Sequence, residues 1–169
     1  MPRYAVLLRG INLGSTNKIA MADLKELLAD AGFADVRTHL NSGNVILTGP
    51  SAPVKTIEKA ITERTGLTVP CVVLTAKELR AIVDGHPFAD VATNGSRMMA
   101  HVLGGKPSEE KLAAALARDP DNARSGPGVI YQWCPDGLLK APAVTEKLGV
   151  LVTARNWNTI AKLDALISA

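Results

Sequence analysis

Two short polar segments, residues 9–18 and 41–44, hold the residues best suited to chemistry. The first carries Arg9 and Lys18 at its ends, around glycine, asparagine, serine and threonine, and the second reads Asn-Ser-Gly-Asn. Neither segment contains a carboxylate. A guanidinium can form two parallel hydrogen bonds to a carboxylate or phosphate, and glycine lets backbone N–H groups approach a ligand closely. A segment that combines cations, side-chain amides and glycine with no carboxylate is typical of an anion site.

The elements that would position these segments follow a regular order. Continuous or alternating apolar runs predict strands, and apolar residues at helical spacing predict helices. Up to residue 75 the predicted elements are a strand at 4–8, a helix that begins after Lys18 and ends at Gly32, strands at 36–40 and 45–48, a helix from Val54 to Gly66, and a strand at 68–74. This βαββαβ order is that of the ferredoxin-like fold. Because Pro70 cannot donate to a ladder, we predict the fourth strand at a sheet edge.

The topology predicts that the two polar segments meet. In a split βαβ unit the first two strands run parallel, so the end of strand one, the start of helix one and the turn after strand two share one end of the sheet. Free N–H groups at the helix start add partial positive charge there. Two interpretations stay open. The cluster binds an anion, or its residues only build turns, with Asn17 capping the helix.

The second half of the chain repeats this order of elements more faintly. A capping box at 75–78 predicts a short helix, and residues 89–96 are interpreted as a linker between domain 1–88 and domain 97–169. The remaining predicted elements are a strand at 98–103, a helix from Ser108 to Arg118, a weak strand at 121–125, a strand at 129–134, a short helix at 144–148 and a closing helix from Thr153. We therefore predict an α+β protein with a ferredoxin-like N-terminal subdomain, a second, degenerate α+β subdomain and a C-terminal helix.

The closing helix is predicted to begin with Thr153 as its N-cap. Trp157 and the apolar residues that follow it at helical spacing form one face. Arg155 and Asn156 fall in the first turn on the other faces. There they either cover the polar end of the first subdomain or pin the helix to a loop.

Composition limits the classes of function. With 47% hydrophobic and 21% charged residues, the chain is typical of a soluble globular protein, and no apolar run approaches the roughly 20 residues of a membrane span. No secretory signal is recognised, so a cytoplasmic location is expected. A net charge of +3 permits an anionic ligand, while 4% aromatic residues argue against recognition by base stacking. The two cysteines and the scattered histidines lack metal-ligand spacing, so neither a metal nor a cofactor is expected.

Three sequence blocks stand out when taken together. They run from Leu7 to Met21, from Gly32 to Val45 and from Thr153 to Thr159. In this order they resemble the bacterial family catalogued as domain of unknown function 1697. The resemblance covers nearly the whole chain and implies a cytoplasmic, ferredoxin-like α+β protein without an assigned activity. The family's signature residues coincide with the cluster above: Arg9, Gly10, Asn12, Asn17, Ser42, Gly43, Asn44, Arg155, Asn156 and Trp157.

The chain departs from the family after its Pro-Asp-Gly turn at 135–137. Relatives often carry a Ser-Lys pair shortly after this turn. Here the turn is followed by Leu-Leu-Lys-Ala-Pro, which lacks the serine and places Pro142 where a helix would start. A role that the serine has in relatives therefore does not carry over to this chain, which also puts a role for Lys140 in doubt.

Three hypotheses for function follow. The first is binding of a phosphate-bearing ligand, either a nucleotide or a nucleic-acid backbone, by Arg9, Gly10, Asn12, Asn17, Lys18, Ser42, Gly43, Asn44, Arg155 and Asn156. The second is a hydrolytic or transfer enzyme that uses the same pocket, with Ser42 near His39 and Asp35 as a nucleophile triad. The third is a protein-interaction module without a small ligand, which pairs with another chain through its edge strand and the exposed apolar residues of the second half. The oligomeric state and the catalytic residues, if any, stay open.

Overall fold

The first strand of the chain, β1 (Arg3–Leu8), is buried on both faces and lies inside a four-stranded sheet. The computed structural model describes residues 1–169. The elements that surround β1 are α1 (Met21–Asp30), β2 (Ala34–His39), β3 (Asn44–Thr48), α2 (Val54–Thr65) and β4 (Cys71–Thr75). The strands are ordered β2-β3-β1-β4, and every neighbouring pair is antiparallel. Because β1 and β2 both oppose β3, they run parallel to each other, which confirms the predicted split βαβ arrangement.

One face of this sheet carries the first hydrophobic core. Tyr4, Val6 and Leu8 alternate along β1 and pack with buried leucines and isoleucines of α1 and α2. Strand β4 pairs only with β1, which confirms the predicted edge position. It begins at Cys71 and not at residue 68, so Pro70 precedes the strand. The Pro70 carbonyl accepts a hydrogen bond from the Arg9 amide at 3.0 Å.

The predicted start of α1 is wrong by two residues. The helix begins at Met21, Ala20 is its N-cap, and no side chain caps it. The preceding Ile19 is buried in the core, and the Asn12 side chain bonds both the Ile19 amide (2.9 Å) and the Ile19 carbonyl (2.8 Å). The Ile19 backbone is therefore held in the loop, and Asn17 does not serve as a cap.

The second half of the chain builds another four-stranded sheet. Its elements, after α3 (Ala76–Asp84), are β5 (Met98–Leu103), α4 (Glu109–Ala117), β6 (Ala123–Gly126), β7 (Val129–Trp133), a short 3-10 helix (Leu138–Lys140), β8 (Val152–Asn156) and α5 (Trp157–Ser168). The strand order β6-β7-β5-β8 repeats that of the first sheet. A 3-10 turn and irregular backbone stand where the first sheet has α2, so the repeat is degenerate. The α+β fold class is confirmed.

The predicted closing helix is present as α5, but its predicted start at Thr153 is wrong. Residues 153–156 belong to β8, which pairs with β5 in register Thr153↔Val102 and Arg155↔Ala100. Asn156 instead caps α5, since its Oδ1 accepts from the Thr159 amide at 3.1 Å. This outcome reflects a partner strand far away in sequence, which local periodicity does not reveal.

The predicted helix at 144–148 is replaced by turns. Val144 and Leu148 are buried, as their apolar spacing implied, but Lys147 adopts a positive φ of 59°. The Arg118 guanidinium donates to the Ala143 and Glu146 carbonyls at 3.1 and 2.9 Å. These bonds satisfy carbonyl groups without a helical turn.

The chain divides into two units, Met1–Lys77 with Ala165–Ala169, and Glu78–Asp164. Residues 89–96, interpreted above as a linker, fall within the second unit as turns and irregular backbone. The predicted domain boundaries on either side of that segment stay a prediction. None of the helices has the length and apolar character that crossing a membrane requires.

Candidate functional site

The segment after β1, residues 9–20, forms a small closed hairpin that we call the 9–20 loop. The Asn12 amide donates to the Asn17 carbonyl at 3.0 Å, and Leu13 and Thr16 form a bridge inside this closure. Four of its residues have a positive φ: Gly10, Asn12, Gly14 and Asn17. Glycine and asparagine are the residues that accept this conformation most readily, which explains their density here.

Asn12 joins the 9–20 loop to the turn at 41–44. Its Nδ2 donates to the Asn41 carbonyl at 2.8 Å and to the Ile19 carbonyl at 2.8 Å. The Leu8 amide also donates to the Gly43 carbonyl at 2.9 Å. The predicted approach of the two polar segments is therefore confirmed, and Asn12 has both of its amide hydrogens engaged in holding them together.

The other two asparagines of the cluster also bond the chain itself. Asn17 Nδ2 donates to the Gly10 carbonyl at 3.1 Å. Asn44 is fully buried, and its Nδ2 donates to the His39 carbonyl at 2.9 Å and to Ser42 Oγ at 3.0 Å. These amides give the loop and the turn their shape, which is the turn-building interpretation left open above.

Gly43 is the residue of the turn that no other amino acid replaces easily. Its φ is +90°, and a Cβ added there would lie 2.8 Å from Ile11 Cδ1 and 2.8 Å from Leu8 Cβ. Leu8 and Ile11 are themselves almost fully buried. The turn can therefore approach the end of β1 this closely only because residue 43 is a glycine and has no Cβ.

Arg9 and Lys18 are the two cations of the 9–20 loop. Both are exposed, and neither side chain has a hydrogen bond or an ion pair. Their neighbours Gly10 and Asn17 are bonded to each other, so the two charged residues stand at the base of one hairpin. Two unneutralised cations beside a rigid, carboxylate-free loop produce a positive local potential.

Arg155 and Asn156 belong to the second unit, on β8. Arg155 is buried, and burial lowers the pKa of its guanidinium to about 10, which still leaves it charged at neutral pH. Its Nη1 donates to the Ala154 carbonyl at 3.0 Å. Asn156 caps α5. That these two residues share a ligand site with the 9–20 loop stays a prediction.

The nucleophile triad suggested by Ser42, His39 and Asp35 is not assembled. Neither the His39 imidazole nor the Asp35 carboxylate has a hydrogen bond or an ion pair. Ser42 Oγ accepts a bond from Asn44, as a turn serine does. Asp35 sits at a β-bulge with a positive φ of 51°.

The two thiols are poor nucleophiles. Burial, together with the nearby Glu58 carboxylate, raises the pKa of Cys71 to about 12. Burial and Asp119 raise the pKa of Cys134 to about 11. Both thiols are therefore neutral at physiological pH. No group of three or more histidine, cysteine, aspartate or glutamate residues is placed to hold a metal ion.

Sequence reasoning missed a buried polar network in the second unit. His101 Nε2 lies 2.9 Å from Gln132 Oε1, and Gln132 Nε2 donates to Asp119 Oδ2 at 3.0 Å. All three residues are buried. The available signal was the placement of a histidine and a glutamine inside the apolar strands β5 and β7, where a polar residue needs a partner.

The fold and the loop cluster define a two-unit α+β protein whose ferredoxin-like sheets share one strand order. The family model described as "Protein of unknown function (DUF1697)" matches residues 1–131, and the chain belongs to this family. A solved structure of the conserved bacterial protein SP0830 from Streptococcus pneumoniae is similar, with a TM-score of 0.74 at 22% identity over 98% of each chain. At this identity the likeness shows the fold alone. The comparison with curated proteins finds no match.

Proposed function

We propose that the chain binds a phosphate-bearing ligand, a nucleotide or a nucleic-acid backbone, at the end of the first sheet. The observation that carries the proposal is the state of Arg9 and Lys18, which are exposed and unpaired at the base of the 9–20 loop. A phosphate would supply the negative charge that the loop itself lacks. Arg9 can bind two phosphate oxygens at once, and Lys18 adds a point charge.

The uncharged residues of the cluster have a supporting role in this proposal. Asn12, Asn17 and Asn44 hold the loop and the turn in one conformation by bonds to the backbone. Gly10 and Gly43 supply positive φ, and Ser42 lies exposed in the turn. A site that is ordered before binding loses less conformational entropy when the ligand arrives.

Arg155 and Asn156 are proposed as further contributors, with a second guanidinium and a further amide. Recognition would rest on phosphate rather than on bases. RNA-recognition sheets of the common type stack bases on exposed aromatic residues of their central strands. Strand β3 reads Asn-Val-Ile-Leu-Thr and has no aromatic residue.

The test measures affinity of the full chain for two probes at low ionic strength. Adenosine triphosphate represents a nucleotide, and a single-stranded deoxythymidine oligonucleotide represents a phosphodiester backbone. We expect Arg9→Gln and Lys18→Gln each to weaken binding about tenfold, because hydrogen bonds to charged groups contribute about 1.5–3 kcal/mol. Affinity for the oligonucleotide should also fall steeply as salt is added.

Lys55→Gln is the matched control, since Lys55 is an exposed lysine on α2 outside the cluster. It removes the same charge and should leave affinity within about twofold. Arg155→Gln and Asn156→Ala test the second unit's contribution separately. Absence of binding to both probes at low salt would refute the proposal, as would an equal effect of Lys55→Gln and Lys18→Gln.

A further inference from the structure

A second cleft lies wholly within the second unit, between the end of α4 and residues 133–142. Its volume is about 140 Å³, which suits a small chemical group rather than a whole nucleotide. Asp119, Asp136 and Lys140 line it. No residue of the proposed phosphate site lines this cleft. Its main charged group is a buried carboxylate, whereas the phosphate site has exposed cations.

Asp119 is the unusual residue of this cleft. The residue is only 8% exposed, and its Oδ2 accepts one hydrogen bond, from Gln132 Nε2 at 3.0 Å. Its Oδ1 has no hydrogen bond, and no lysine or arginine pairs with the carboxylate. This oxygen is not fully buried, so it stays open to a donor that enters the cleft, and a positive group there would replace its contact with water.

The carboxylate is held in place by a second layer of bonds. Gln132 is fully buried, and its Nε2 also donates to the Pro142 carbonyl at 2.9 Å. These two acceptors fix the amide orientation, so Gln132 Oε1 faces His101 Nε2 at 2.9 Å and accepts a hydrogen bond from it. Burial lowers the pKa of His101, which keeps the imidazole neutral for this role. The orientation of Asp119 is therefore determined by the sheet and not by solvent.

We propose that this cleft binds the primary ammonium group of a small ligand, with Asp119 Oδ1 as its acceptor. One free oxygen suits an ammonium, whereas a guanidinium pairs best with both oxygens of a carboxylate. A divalent metal would need several oxygen ligands, and the cleft does not offer them. The exposed Asp136 adds negative potential at the rim, and Lys140 is a competing cation that lines the cleft without reaching Asp119.

The test is a titration of the full ¹⁵N-labelled chain with n-butylammonium chloride, followed by amide NMR. n-Butanol is the neutral probe of the same shape, and potassium chloride controls for ionic strength. We expect saturable shifts at Asp119, Lys140 and the Gln132 side-chain amide with the ammonium probe alone. Asp119→Asn keeps the acceptor for Gln132 but removes the charge, so affinity should fall at least about tenfold.

Two further variants keep the proposal falsifiable if Asp119→Asn does not fold. Asp121→Asn removes an exposed carboxylate two positions away and should change affinity less than about twofold. Lys140→Met removes the competing cation from an exposed position and should tighten binding about two- to fivefold. Equal shifts with n-butanol or potassium chloride would overturn the proposal, as would unchanged affinity in Asp119→Asn or weaker binding in Lys140→Met.

Discussion

Single asparagine side chains decide how the candidate site is built. Asn12 makes three hydrogen bonds, two within the 9–20 loop and one to the turn at 41–44, and Asn44 donates two from a fully buried position. The sequence left both interpretations of these residues open, a ligand contact or a turn-building role. The structure assigns them to the turn, because buried polar groups must be satisfied within the chain. Any ligand is therefore left to the exposed charges beside them.

We predict that Asn12→Ala lowers the free energy of unfolding by about 2–4 kcal/mol. The variant loses the three bonds and places an alanine at a φ of 56°, a conformation that L residues adopt at a cost of about 1 kcal/mol. Asn12→Gly loses the same bonds without that strain, so it should be about 1 kcal/mol more stable than Asn12→Ala. Urea denaturation measures both, and variants as stable as the parent would contradict the bonding role.

At the scale of elements, the turn between β2 and β3 packs closely against the end of β1. This packing is possible because Gly43 has no side chain. The Gly43 carbonyl accepts from the Leu8 amide, and the Gly43 Cα lies against Leu8 and Ile11. The first unit thus positions its polar loop by close packing of a strand end against a turn. The apolar periodicity of the sequence predicted β1 and the two strands that flank the turn, but it did not predict the distance between the turn and the end of β1.

Gly43→Ala is expected to lower the free energy of unfolding by about 2–4 kcal/mol, since overpacking adds to the strain of a positive φ. Gly14→Ala is the matched control. Gly14 has a φ of +63° but open space around its Cα, so only the strain of about 1 kcal/mol should appear. Thermal or urea unfolding of the two variants checks this, and equal losses would show that packing at Gly43 does not matter.

At the scale of the whole molecule, the chain ends belong to the same unit. Residues 165–169 are part of the first unit, and Arg3 Nη1 donates to the Ile167 carbonyl at 3.1 Å and to the Ala169 carbonyl. Ile167 is buried. The first unit is therefore completed by a segment that follows the entire second unit in sequence.

We predict that Ile167→Ala destabilises the first unit by about 2–4 kcal/mol, the usual loss for truncating a buried isoleucine. Hydrogen exchange should show faster exchange of amides in β1. Ser168→Ala alters the neighbouring exposed position and should stay within about 0.5 kcal/mol of the parent. If β1 exchange is unchanged in Ile167→Ala, the terminal segment does not support the first unit.

The sequence by itself determined the order of elements in the first unit, the edge position of β4 and the meeting of the two polar segments. These features follow from apolar periodicity and from the βαββαβ order, which makes β1 and β2 parallel and places the fourth strand at an edge. Both are set by local residue types and chain order.

Only the tertiary structure decided that residues 153–156 form a strand, that Asn12 bonds to backbone, and that Asp119 is held by Gln132. Each of these outcomes depends on a partner distant in sequence. The local residue types allowed at least two conformations or two sets of hydrogen bonds, and burial of those partners selected one of them.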